Sequence, residues 1–102
     1  MKNNSTEIIK KAQEVLEIEA SEIVRASKNI SGGFVNAVNL ILNCTGRIVL
    51  SGMGKSGHIS RKIASTLAST GTPSFFMHPG EASHGDLGMI MNNDIVIIFS
   101  NS

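Results

Sequence analysis

Arg47-Ile48-Val49-Leu50-Ser51-Gly52-Met53-Gly54-Lys55-Ser56-Gly57-His58 is the stretch that decides the fold. Ile48-Val49-Leu50 is a short β-rich apolar run, and three glycines follow it within a few residues. Beyond them Ile59, Ile63 and Leu67 repeat every four residues with Ala64 and Ala68 beside them, which predicts a helix from about His58 to Thr70. Gly71 stops that helix and Pro73 prevents its continuation. Strand, glycine turn and helix in this order open a βαβ unit. Downstream, Ser74-Phe75-Phe76-Met77 reads as a second strand and Asp94 to Phe99 as a third, with a polar loop from His78 to Met91 between them. One helical turn is expected in that loop, near Gly85 to Ile90. The third strand is apolar throughout, so both of its faces are expected to be covered in a parallel sheet.

Upstream, Ile9, Ala12, Leu16, Ala20 and Ile23 recur at helical spacing, which predicts an amphipathic helix from Ser5 to about Lys28. Ser5 or Thr6 is its expected N-cap, with Glu7 in the first turn. Asn29 to Gly33 breaks it. A shorter helix from about Phe34 to Asn43 follows, closed by Gly46. The fold class is therefore α/β: two N-terminal helices, then three parallel strands of a partial doubly wound sheet.

Composition narrows the function. The chain has 102 residues, enough for one small domain, and is 41% hydrophobic. Only 17% of residues are charged and the net charge is +1, which argues against a strongly basic nucleic-acid binder. With no Trp or Tyr and four Phe, a base-stacking surface has little to draw on. Cys44, the one cysteine, has no intrachain disulfide partner, as suits a reducing compartment. Met1 to Lys11 has no signal-peptide character, and the longest apolar run, Ile95 to Phe99, falls far short of a membrane span. The expectation is a cytoplasmic domain with no membrane and no nucleic-acid partner.

Three places can carry chemistry. At the glycine cluster the backbone can turn tightly and approach a ligand, while the following helix offers free N–H groups to an anion. Gly52, Gly54 and Gly57 satisfy G-x-G-x-x-G, but the next strand ends in His78 rather than in the acid that a dinucleotide site requires. A P-loop requires glycine where Val49 stands. Both nucleotide readings lose support, and a phosphate or sugar-phosphate site is preferred to a purely structural turn because Lys55 and Ser56 adjoin the glycines. The second place is the loop holding His78, Glu81, His84 and Asp86, a source of acid–base groups whose spacing matches no compact metal motif. His84, between the small residues Ser83 and Gly85, is its preferred candidate; His58 reads as a surface residue. The third is Ser100-Asn101-Ser102. In a sheet of order 2-1-3, the loops after strands 1 and 3 meet at one crevice, which brings Ser56 near Ser100 and Ser102.

These residues resemble a known family. Gly52-Met53-Gly54-Lys55-Ser56-Gly57-His58, Ala68 to Phe76, His78-Pro79-Gly80-Glu81-Ala82 and His84-Gly85-Asp86-Leu87-Gly88-Met89 are similar to the signatures of arabinose 5-phosphate isomerases of the sugar isomerase (SIS) domain family. Ser100-Asn101-Ser102 resembles the first half of that family's phosphate loop. The resemblance implies interconversion of ribulose 5-phosphate and arabinose 5-phosphate, at the entrance to lipopolysaccharide or capsule sugar synthesis, without metal or organic cofactor. It implies catalytic roles for Lys55 and His84, and phosphate binding by Gly54, Ser56, Ser100, Asn101 and Ser102.

Family members also carry two further strands, later catalytic residues and usually paired CBS domains, and they assemble as tetramers. The expectation is a partial SIS domain over residues 1–102, cut within the phosphate loop, without CBS domains and inactive alone. Its last strand would keep an unpaired edge and an uncovered apolar face. The competing reading is a non-catalytic sugar-phosphate-binding or association module, partnered by another copy or a complementing polypeptide. A nucleotide-binding fragment is the third.

Overall fold

The computed structural model describes residues 4–100. They divide into two units, Met1–Asn36 and Ala37–Ser102.

The first unit holds α1, Ser5–Lys28, and the start of α2, Gly32–Leu42. Asn4, rather than Ser5 or Thr6, caps α1: its side-chain oxygen accepts the backbone N–H of Glu7 at 2.8 Å. Asn is as strong a cap as Ser, and its position one residue earlier lets the helix begin at Ser5. Exposed pairs join Lys11 to Glu14 and Arg25 to Glu22 across one turn. The apolar stripe seen in the sequence is real but buries nothing, with Ile9 59% and Leu16 65% exposed.

The second unit is built around β1, Ile48–Gly52. It pairs in parallel with β2, Ser74–Phe76, on one side and β3, Ile95–Phe99, on the other, giving the order β2-β1-β3. This is the expected 2-1-3 arrangement of three parallel strands. A central parallel strand must be apolar on both faces, and Ile48, Val49 and Leu50 are fully buried. α3, Lys55–Ser69, crosses over between β1 and β2 and packs Ala64, Ile63 and Leu67 on Ile48 and Leu50. It begins three residues before the expected His58, because the glycine turn needs only Met53 and Gly54. Thr70 forms its C-cap, and Gly71 takes the left-handed φ of +99° beyond it.

Three expectations are corrected. Residues 78–91 are not one loop: α4, Pro79–Ser83, opens with Pro79 in the first turn and His78 as its N-cap. The expected single turn follows as a 3-10 helix, Asp86–Met89. Gly46 does not close α2, which ends at Leu42. A Cβ at Gly46 would lie 2.5 Å from the backbone oxygen of Asn93, so glycine there permits close approach of two chain segments. Nor is β3 covered on both faces: it alternates, with Ile98 70% exposed while Ile97 packs toward the core. An apolar run cannot report which face finds a partner. The open face and free edge match the hazard foreseen for this strand.

At the N-terminal ends of the strands, Asp94 clasps β1 to β3. Its carboxylate accepts the backbone N–H of Arg47 at 2.7 Å and of Met91 at 2.8 Å, and the Arg47 guanidinium lies 3.3 Å away. The backbone hydrogen bond from Met91, then that from Arg47, hold its pKa below the ordinary carboxylate value; burial opposes them, and the side-chain hydrogen bond and charge of Arg47 add to them. A lowered folded-state pKa means that the clasp stabilises fully above the unfolded carboxylate's pKa, about 3.9, and loses that contribution as pH falls through the folded value. Asp94→Asn is expected to lower the melting temperature at pH 7 and to flatten its fall below about pH 4. Circular-dichroism melts across that range check this. An unchanged acid limb would sink the assignment.

Candidate functional site

The site is made by the end of β1 and the start of α3. Gly54 has φ 58° and ψ −127°, a conformation for glycine alone, and it swings the chain from strand into helix. The first helical hydrogen bonds come from Gly57 to Met53 and from His58 to Gly54. The N–H groups of Lys55 and Ser56 precede them and face the open helix end, where the peptide dipoles leave positive potential. Strand and helix touch backbone to backbone here, since a Cβ on Gly57 would stand 2.7 Å from the carbonyl oxygen of Gly52. The buried hydroxyl of Ser60 fixes this contact, donating to the carbonyl of Ser56 at 2.7 Å with that of Ser51 at 3.1 Å. Ser51 in turn donates to the Met77 carbonyl at 2.6 Å, tying β1 to the end of β2.

A cavity of about 380 Å³ opens at this end of the sheet. Gly52, Met53 and Ser56 line it from the β1–α3 connection, Pro79 from α4, and Ile98, Phe99 and Ser100 from the end of β3. Ser56 and Ser100 thus meet at one crevice, as the strand order required. Among the described residues no ionisable side chain lines it. Lys55 and His84 are exposed and line none of the cavities described here. Asn101 and Ser102 lie outside the described residues.

Two smaller cavities flank β2. One of about 230 Å³ gathers His78, Glu81 and Asp86, three of the four polar residues expected to act in that loop, together with Arg61 of α3. His84, the preferred member, is left out of it; as the C-cap of α4 its backbone N–H donates to the carbonyl of Glu81. The other, about 260 Å³, lies against the glycine turn and carries His58, Arg61 and His78. Sequence reasoning passed over Arg61. Its signal was there, because Gly54, Gly57, His58 and Arg61 stand at i, i+3, i+4 and i+7, one face of α3. Among the described residues no three His, Cys, Asp or Glu side chains converge to hold a metal, and no helix is long and apolar enough to cross a membrane.

A parallel α/β sheet with a crevice at the strand order's switch point, floored by a glycine turn and a helix N-terminus, defines a domain of the doubly wound class. The SIS domain family matches residues 41–102, and the chain belongs to that family. It is 57% identical over 90 residues to the arabinose 5-phosphate isomerase KdsD of Salmonella typhi, covering 88% of this chain and 27% of that protein. Against the arabinose 5-phosphate isomerase GutQ of Escherichia coli it is 50% identical over 98 residues, 96% of this chain and 30% of the relative.

Among solved structures, an E. coli protein in complex with arabinose 5-phosphate superposes with a TM-score of 0.91 at 43% identity, covering 98% of this chain and 53% of that one. A phosphosugar isomerase involved in capsule formation in Bacteroides fragilis superposes at 0.85 with 42% identity, over 93% of this chain and 50% of that one. The resemblance to sugar-phosphate isomerases read from the motifs is borne out. The chain spans under a third of these curated relatives' length and about half of the solved chains.

Proposed function

We propose that this chain binds the phosphate end of a pentose 5-phosphate, arabinose 5-phosphate or ribulose 5-phosphate, and does not turn it over alone. The observation that carries this reading is the crevice at the α3 N-terminus, where the hydroxyl-bearing Ser56 and Ser100 meet. Hydroxyls and free N–H groups suit a phosphate. Gly54, Ser56 and Ser100, with Asn101 and Ser102 after them, form the phosphate-binding set.

Isomerisation moves the C2 proton of the aldose to C1 through an enediolate, while a hydroxyl proton passes from O2 to O1. That requires a base at carbon and positive charge near the developing oxyanion. Lys55 supplies the charge and His84 assists proton movement between the oxygens, each reaching the sugar from outside the crevice. Among the described residues no side chain that could serve as base for the C–H proton lines the crevice, so binding without turnover is the expected behaviour.

Titration calorimetry with arabinose 5-phosphate tests the binding. Ser56→Ala is expected to weaken it about 10-fold or more, the worth of one hydrogen bond to a charged group. Equal affinity in the variant would remove Ser56 from the site. Conversion of ribulose 5-phosphate by the chain, abolished by Lys55→Ala, would show that it is an active isomerase after all. The alternative, an association module, is favoured by the open face of β3, where Ile98 is 70% exposed and Val96 43%. A defined oligomer by light scattering together with absent sugar-phosphate binding would select it.

A further inference from the structure

The glycine turn has a second side. Adjoining the Ser56–Ser100 crevice, with Gly52 in the wall of both, the cavity of about 260 Å³ is lined also by Gly54, Gly57, His58, Arg61, Phe76 and His78, and among the described residues no acidic side chain lines it. Arg61 is seated over the ring of Phe76, 4.1 Å from its centroid. That stacking holds the guanidinium plane and leaves its N–H edge for a ligand. Arg61 forms no ion pair among the described residues: the pairs there are Lys11–Glu14, Arg25–Glu22 and Arg47–Asp94. Glu81 and Asp86 share the neighbouring cavity with Arg61 but stay beyond ion-pair distance of it.

His78 is also set as a donor. Its Nδ1 accepts the backbone N–H of Gly80 at 2.9 Å, so in the neutral ring the proton sits on Nε2. Its ring packs edge-on to Phe76 with centroids 6.3 Å apart, which joins His78 to the same wall as the stacked Arg61. The lining therefore combines a stacked guanidinium fork, an imidazole N–H and a second histidine, His58, while the carboxylates of Glu81 and Asp86 line the neighbouring cavity and form no ion pair with Arg61.

We propose that Arg61, His58 and His78 form a second oxyanion subsite, one that takes a phosphate group, whether inorganic phosphate or a phosphate monoester. A planar guanidinium matches two phosphate oxygens at once, which favours phosphate over a single-point anion. The side chains proposed to hold the anion, Arg61, His58 and His78, are not those of the Ser56–Ser100 crevice, although Gly52 lines both cavities, and the subsite does not depend on that crevice's function.

Titration of the isotope-labelled chain followed by amide NMR separates the two sites. Inorganic phosphate is expected to shift Gly57, His58 and His78 saturably. Arg61→Gln is expected to raise the apparent Kd read at those three amides about 10-fold or more, and Arg61→Lys, which keeps charge but loses the fork, to fall between. Ser56→Ala should leave that Kd unchanged, so failure of the crevice reading would not be mistaken for failure of this one. Arabinose 5-phosphate and free arabinose form the other arms. Saturation by inorganic phosphate identifies a free-anion subsite, and saturation by the sugar phosphate alone identifies an ester subsite. Shifts confined to Ser56 and Ser100, shifts produced equally by arabinose, or an Arg61→Gln midpoint equal to wild type would each overturn the proposal.

Discussion

Leu50→Ala is expected to lower the stability of the sheet unit by about 2–5 kcal/mol, the range for truncating a fully buried leucine. Leu50 is wholly buried at the middle of the central strand, in the cluster with Ile48 and Ala64 against which Leu67, Phe76 and Ile97 pack. Its β1 neighbours are hydrogen-bonded on both sides, so the backbone cannot sink into the vacated space. Small domains hold roughly 5–15 kcal/mol in total, which makes this a large fraction. The melting temperature should fall by more than about 10 °C. Ile98→Ala is the matched control: the same kind of side chain, on β3's open face and 70% exposed, should change stability by less than about 0.5 kcal/mol. Thermal and urea unfolding by circular dichroism compare the two. Equal losses would mean that the open face of β3 is covered in solution.

Gly57→Ala sets two effects against each other. Alanine is the better helix former by about 1 kcal/mol, so at an unhindered position it would stabilise α3. At Gly57 its Cβ would meet the Gly52 carbonyl oxygen at 2.7 Å, and both partners are backbone. Relief requires moving α3 off the end of β1, which breaks the Ser60 bond to the Ser51 carbonyl of the strand. Overpacking of this kind costs about 1–3 kcal/mol, so the net sign is expected to be destabilising. The same displacement shifts Ser56 away from Ser100, and arabinose 5-phosphate affinity should fall at least about 10-fold, since misplaced donors lose their hydrogen bonds to phosphate. At Gly32, in α2, a Cβ would meet nothing within 4 Å, so alanine there should not destabilise. A Gly57→Ala chain more stable than wild type would contradict the close strand–helix contact.

Elements with strong periodicity were legible before any coordinates. The spacing of Ile59, Ile63 and Leu67 marks α3, and the apolar runs mark β1 and β3. The order β2-β1-β3 follows from the doubly wound class assigned to the chain, since crossovers alone would equally allow other parallel orders. α4 was missed although Pro79 announces it. Five residues carry no period, and the proline was legible only as part of a polar loop. The cap of α1 was misplaced by one residue because Asn4, Ser5 and Thr6 are all competent caps, and backbone conformation alone selects among them.

The site divides along the same line. That Gly54 must be glycine, that a helix N-terminus follows it, and that hydroxyls stand at 56 and 100 are properties of residue type and chain order, and local chemistry is enough to read them. Which of these groups meet depends on the path of the chain through space. Parallel pairing of β1 with β3 brought Ser56 and Ser100 to one crevice. The turn of α4 left His84 outside the cavity that its neighbours Glu81 and Asp86 share, and the stacking of Arg61 on Phe76 turned an unremarked helix residue toward the glycine turn. Residue identity fixes what a side chain can donate or accept. Only packing between distant segments sets the distances on which binding depends.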